Sequence, residues 1–272
     1  MPLSVVDIYR DILPKTNCGD CGFSTCLAFA GMVVSEKHAL DNCPHLAPDV
    51  LKRFGKELSN QYASGKWVKK DLAEEALQWA RERSASMDIR DLPDRIGGEL
   101  SDKSGGPVLK LPYFNDTIFI QTDSVTKADG SELTRWEQVF VYNHMAQGGA
   151  SKPSGHWKGF VEFPNTVSKA KSMAEQVELP LQEAFRGRVA ELAEAASRLG
   201  GVDMNADFGS ADLAIWFTPL PRVPLMLMFW DADQEDGFDA KVKLLFDETV
   251  TEHLDIESMV FLSERLRQLL CG

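Results

Sequence analysis

Residues 14–26 read Pro14-Lys15-Thr16-Asn17-Cys18-Gly19-Asp20-Cys21-Gly22-Phe23-Ser24-Thr25-Cys26, and Cys43-Pro44 follows after sixteen more positions. Three thiolates in one short loop, with a fourth arriving from a distance and followed by proline, is how a chain supplies four ligands to a cubane iron-sulfur cluster. Soft sulfur donors match the iron of such clusters. Gly19 and Gly22 each follow a cysteine, and glycine lets the backbone turn tightly enough to aim amide N–H groups at cluster sulfurs. Cys18, Cys21, Cys26 and Cys43 are therefore the expected ligands of one four-iron four-sulfur (4Fe-4S) cluster. A four-cysteine zinc site is the alternative. Structural zinc typically draws on two close pairs, whereas Cys43 has no near cysteine neighbour. Redox-active or unliganded thiols are a third reading. His38 and His45 lie near enough to replace a cysteine, but the full thiolate set makes them unnecessary and assigns them to the surface or to contacts behind the ligands.

Chain geometry makes the single-site reading testable. Ser24 or Thr25 opens a helix whose apolar stripe runs through Leu27, Ala30, Val33 and Val34. Cys26 falls in its first turn, where the positive end of the macrodipole favours negative charge. A helix reaching Glu36 carries the chain roughly 15 to 18 Å away at 1.5 Å per residue. The return from Lys37 to Asn42 spans at most roughly 20 Å when stretched. The helix must therefore end by about Lys37, and a continuous helix to Asp41 would contradict one shared site.

With 44% hydrophobic and 26% charged residues, the 272-residue chain has the composition of a folded globular protein. A formal net charge of -12 repels phosphate backbones and anionic lipid, so nucleic acid is a poor partner. The N-terminal residues carry no positive n-region or apolar h-region. The longest apolar stretches, near Ala28–Val34 and Leu225–Trp230, are far short of the roughly 20 residues that cross a bilayer. A cytoplasmic protein without membrane insertion is expected. Four of the five cysteines crowd into residues 18–43, which in a reducing compartment suggests metal ligation more than disulfides.

The fold class expected is α+β: a small, mostly helical module over residues 1–60, then a mixed domain with a largely antiparallel sheet over 67–272. Residues 3–13 predict a helix ending before Pro14, residues 46–58 another, and Ser59 to Lys66 a linker. Residues 68–85 predict an amphipathic helix with Leu72, Ala76, Trp79 and Ala80 facing a sheet. A hairpin is predicted at Val108–Leu111 and Ile118–Gln121, with strands at Val139–Tyr142 and Trp157–Phe163. One helix is predicted from Leu181 to Leu199, with Pro180 near its first turn and Gly200-Gly201 at its end. Strands follow at Leu213–Phe217, Leu225–Trp230 and Val242–Phe246, before a C-terminal helix.

Weaker signals carry less chemistry. Asp231 to Gly237 looks like a calcium loop, but its glycine is one place late and Val242 stands where a bidentate Glu belongs, so a solvated acidic turn is expected. His144, His156 and His253 show no catalytic spacing and read as ordinary polar residues. Gly148-Gly149 and Gly155, with Lys152, His156 and Lys158, suggest a mobile loop more than an anion site. Trp216 and Trp230 are expected to fill the core. Prolines at 219, 221 and 224 fix the chain around Arg222, for which a salt bridge to Asp247 is favoured over a carboxylate ligand. Cys271 reads as a free terminal thiol. No catalytic residue set is legible.

The run from Pro14 to Ala30 with Cys43-Pro44 resembles the 4Fe-4S module of the corrinoid iron-sulfur protein large subunit, also found in an electron-transport subunit of anaerobes. The resemblance covers roughly residues 1–60 and implies Cys18, Cys21, Cys26 and Cys43 as ligands. The rest departs from both relatives, being too short for a barrel and cobamide domain and lacking a membrane segment. Asp88 to Gly98, Pro221 to Leu225 and Leu245 to Asp247 are similar to an uncharacterised domain found behind such modules in anaerobic microbes. The resemblance implies anaerobic metabolism and a low-potential cluster. Electron transfer to a redox partner protein is the first expectation. An accessory role in corrinoid or one-carbon metabolism, with a corrinoid protein as partner, is the second. A non-redox metal module stapling an interaction domain is the third.

Overall fold

Ser4 opens the first helix by accepting the Asp7 N–H, while the Asp7 carboxylate accepts the Ser4 N–H at 2.9 Å, a reciprocal cap. The computed structural model describes residues 3–64, 72–103, 106–121, 124–233 and 237–272. Helix α1 (Val5–Asp7) continues as a π-type turn over Ile8–Ile12. After the cysteine loop, Thr25 Oγ1 accepts the Ala28 N–H at 3.1 Å and starts α2 (Cys26–Glu36). The helix stops where Lys37 turns left-handed at φ 55°, as the reach argument requires. A 3-10 turn over Leu40–Asn42 delivers Cys43, and α3 (Pro48–Ala63) follows with proline in its first turn. Ile8, Phe29, Ala30 and Val33 are fully buried between these pieces. Gln61 holds the N-terminal strand of chain by bonding both the N–H and C=O of Leu3.

The chain divides into two compact units, Met1–Leu72 and Ala73–Gly272. Of the expected linker, Ser59–Ala63 belongs to α3, and Gly65 and Lys66 lie outside the described residues. The second unit begins with α4 (Leu72–Ser84) and α5 (Leu92–Ile96); the expected start of α4 at residues 68–71 is also outside the described residues. Strands β1 (Glu99–Lys103), β2 (Gly106–Tyr113), β3 (Asp116–Ile120) and β4 (Val125–Lys127) form a meander in that order. Then come α6 (Arg135–Gln147), β5 (Trp157–Gly159), α7 (Val167–Met173), α8 (Leu179–Phe185) and α9 (Val189–Arg198). Strands β6 (Val202–Asp203), β7 (Leu213–Leu220), β8 (Val223–Trp230) and β9 (Lys241–Asp247) precede α10 (Val250–His253) and α11 (Ile256–Cys271). The second sheet runs β5-β9-β8-β7-β6. Every strand pair among the described residues is antiparallel, and the fold is α+β. Phe140, Phe217, Phe229 and Phe246 fill its core.

Several expectations are corrected. Val139–Tyr142 lie inside α6, which is buried from Glu137 to Met145, so an all-round apolar stretch had no helical period to display. Trp157–Phe163 is a three-residue strand followed by a 3-10 turn. The single helix expected from Leu181 to Leu199 breaks at Arg186–Arg188, where Gly187 takes φ 69°. Pro180 sits inside a helical run from Val167 to Phe185, directly after a π turn over Ala174–Glu178 that widens the backbone ahead of the ring. Trp79 is 56% exposed with the Arg83 guanidinium over it, while α4 rides on α6 through Arg81 to Gln138 and Arg83 to Asn143. Trp216 and Trp230 lie on the outer face of the second sheet, beside Met226 and Met228 rather than in the main core. Strand β5 pairs only with residues Leu245–Asp247 of β9. Along the remainder of that edge, Glu178 accepts the Leu244 N–H at 3.4 Å and bonds Lys243 Nζ at 2.8 Å.

Candidate metal centre

The four N-terminal cysteines lie in one neighbourhood of the first unit, with Cys18, Cys21 and Cys26 near enough to act on Cys43. Lys15, Asn17, Gly19 and Gly22 all take positive φ, between 51° and 85°, coiling residues 15–22 into a tight loop. Gly22 N–H donates to the Gly19 carbonyl at 2.8 Å. Asn17 Oδ1 accepts the Cys26 N–H at 2.8 Å, fastening the loop to the first turn of α2. Cys26 and Cys43 are buried, Cys21 is half-buried and Cys18 is exposed. Burial pushes the Cys43 thiol up, the His45 backbone N–H opposes that rise, and Cys21, Cys26 and Cys18 all act on it as near neighbours.

The donor chemistry fits an iron-sulfur group. Cys18, Cys21 and Cys26 are near enough to act on Cys43, Cys26 opens α2, and the His45 backbone N–H is directed at the Cys43 sulfur. Among the described residues no three of these sulfurs lie within 4.8 Å of one another.

The two histidines near the centre take different roles. His38 packs edge-on against Phe23 and Phe29 at ring distances of 5.3 and 5.8 Å and contacts Asn42 through Nε2. His45 Nε2 lies 2.6 Å from Asp20 Oδ2, tying the first cysteine loop to the segment after Cys43. That bond and a second from Cys18 hold the Asp20 carboxyl below its usual range.

In the second unit, the sequence-selected polar residues form a structural knot. Asp247 is fully buried and makes no ion pair with Arg222. It accepts instead from the N–H groups of Ser154, Gly155 and Thr249 and from Thr249 Oγ1. Burial alone would raise its pKa, but these donors outweigh it and hold the group below the carboxylate range. The 148–156 loop is thus tied down rather than mobile: a Cβ at Gly149 would meet the Glu252 carbonyl oxygen at 2.4 Å. His144 and His253 are fully buried with ring centroids 5.6 Å apart. His144 Nδ1 bonds the His253 carbonyl at 3.0 Å, and His253 Nε2 bonds the Ser151 carbonyl at 2.9 Å. Burial lowers both, His144 to about 4. His156, in contrast, is exposed and pairs with Glu248. The acidic turn after β8 holds Asp231, which accepts the Gly187 N–H at 2.7 Å, while residues 234–236 lie outside the described residues.

Comparison with known proteins separates the same two regions. Residues 13–45 match the family described as "Putative Fe-S cluster", which makes the cofactor class iron-sulfur. Residues 88–269 match a family described as "Domain of unknown function (DUF3786)". The corrinoid/iron-sulfur protein large subunit of Moorella thermoacetica is 53% identical over 47 residues, 17% of this chain and 10% of that protein. The acetyl-CoA decarbonylase/synthase complex subunit gamma of Methanothermobacter thermautotrophicus is 45% identical over 54 residues, 20% and 12% of the two chains. Subunit gamma 2 of that complex from Methanosarcina mazei is 30% identical over 187 residues, 65% of this chain and 34% of that one. The chain thus spans about a third or less of the length of these curated relatives. No solved structure matches it. No helix among the described residues is long and apolar enough to cross a membrane.

Proposed function

The chain belongs to the family of the domain of unknown function that its residues 88–269 match, and from that premise we propose that it is an electron carrier for that domain's partners. In this reading one 4Fe-4S cluster is held by Cys18, Cys21, Cys26 and Cys43. The observation that supports it is that Cys18, Cys21 and Cys26 all stand near enough to act on Cys43, in the segment that matches the iron-sulfur family. When bound, such a cluster supplies a one-electron couple, with potentials across the class spanning about -700 to +450 mV.

The chain's own residues divide the work. Asn17 and Thr25 fix the start of α2, so that the helix N-terminus favours negative charge at Cys26. The His45 N–H directed at Cys43 does the same at the fourth ligand. Buried Cys26 and Cys43 shield one side, while exposed Cys18 leaves the other open to a redox partner. Electrons would enter and leave there.

Protein purified without oxygen is expected to contain four irons and four acid-labile sulfides per chain and to show a cluster EPR signal after dithionite reduction. Zinc in place of iron, with no signal, would remove the reading. Alanine at Cys21 or Cys26 is expected to abolish the cluster while leaving the second unit folded.

The names of the relatives favour one class of partner, a corrinoid protein of anaerobic one-carbon metabolism. In that role the cluster would return electrons to an oxidised corrinoid. A spectral titration of the reduced protein with a corrinoid protein checks this: oxidation of the cluster coupled to reduction of cobalt is expected, and no exchange counts against it.

A further inference from the structure

The side chains of Asp20 and His45 have no part in the four-thiolate reading, yet the fold sets both against its first cysteine. Among the described residues, the group of three candidate donors whose ligand atoms all lie within 4.8 Å of one another is Cys18, Asp20 and His45. His45 Nε2 is 2.6 Å from Asp20 Oδ2. All three side chains are exposed, and an exposed His–Asp pair alone contributes little to stability. A thiol as third donor changes the chemistry. Sulfur, imidazole and carboxylate together suit a divalent ion of intermediate softness, with water in a fourth position.

We propose that, in the protein without its cluster, Cys18, Asp20 and His45 bind one divalent transition-metal ion of the Zn²⁺, Co²⁺ or Fe²⁺ class. Bond lengths of about 2.0 to 2.3 Å in a tetrahedron place such donors about 3.3 to 3.6 Å apart. The His45–Asp20 contact, 2.6 Å, would open by about 1 Å to admit the ion. The three residues sit on exposed loop segments, so the adjustment needs no core rearrangement. On binding, the Cys18 thiol gives its proton to solvent, and His45 binds as neutral imidazole with its N–H on Nδ1, so that Nε2 turns from Asp20 to the ion. Because Cys18 serves both sites, ion and cluster exclude one another. That exclusion rests on the cluster reading; the binding of the ion does not.

The test is a Co²⁺ titration of full-length, reduced, cluster-free protein, followed through thiolate-to-cobalt charge-transfer absorption. One Co²⁺ per chain is expected. His45→Ala and Asp20→Asn, both at exposed positions, are expected to weaken binding at least tenfold with unchanged far-UV circular dichroism. Cys26→Ser is expected to leave it within about twofold. Binding that survives His45→Ala and Asp20→Asn but is lost in Cys26→Ser or Cys43→Ser would overturn the proposal, placing the ion among the cysteines, and so would no binding at all. Zn²⁺ added beforehand should slow iron-sulfur reconstitution in the wild type and not in His45→Ala. A chain that binds Co²⁺ as stated but never accepts a cluster would uphold the ion site and sink the cluster reading instead.

Discussion

His144 shows what a single buried side chain does to the whole protein's response to acid. Its ring is fully enclosed, donates to the His253 carbonyl, and is lowered from 6.5 to about 4 by burial, against the opposing pull of that hydrogen bond. The unfolded chain takes up a proton as pH falls below about 6.5, whereas the folded chain resists until about 4. Its contribution is therefore complete above pH 6.5 and is lost progressively between 6.5 and 4, by about 3 kcal/mol. Urea unfolding at pH 7 and pH 4 is expected to show a loss of that order, and His144→Gln should flatten it. Asp247, a buried anion whose donors come from three residues of two loops, likewise loses its contribution as pH falls, but only through the carboxylate range. Asp247→Ala leaves those N–H groups without their acceptor and should cost about 3 kcal/mol or more, with Asp247→Asn less severe. From sequence, Asp247 read as half of a salt bridge with Arg222 because prolines frame the arginine. Donors that belong to the backbone of distant residues leave no mark in composition or spacing, so the loop ties were invisible.

Elements whose boundaries rest on local chemistry were the legible ones. Helix α2 begins on Thr25 and ends at Lys37 because a hydroxyl cap and the return to Cys43 leave few alternatives. The strands β7, β8 and β9 carry apolar runs between turn residues and were legible, although β7 runs on from Phe217 to Leu220. Helix α6 was missed, although Thr134 and Glu137 form a reciprocal cap and Gly148 closes the other end at φ 54°. Its Val139–Tyr142 stretch is apolar on every side because it is surrounded by protein, and the cap was the signal to follow. The candidate centre was legible as four cysteines at a readable spacing, whereas Asp20 and His45 are 25 positions apart and only the folded loop joins them. The glycine after α6 supplies a test of how closely elements pack. Gly149→Ala would drive a methyl group into the Glu252 carbonyl of α10 and is expected to lower stability by about 2 kcal/mol, read from the urea midpoint.

At the scale of the whole molecule, the two units draw on different sources of stability. The second has an extended apolar core across two sheets and their helices, while the first is small and gathers its buried residues around the cysteine loop. Removal of bound metal is therefore expected to lower the melting temperature of the first unit alone, and a thermal scan should then show the second transition unchanged. A single merged transition that shifts as metal is removed would speak against independent units. The same molecule also has to coexist with its copies at high concentration, and there the carboxylate of Glu178 on the border of β9 takes on a second meaning. A bare stretch of extended backbone invites a neighbour's chain to zip alongside it. With Glu178 holding the Leu244 N–H, that stretch has less to offer a stranger, and Glu178→Ala is expected to make light scattering climb more steeply with concentration than in the wild type.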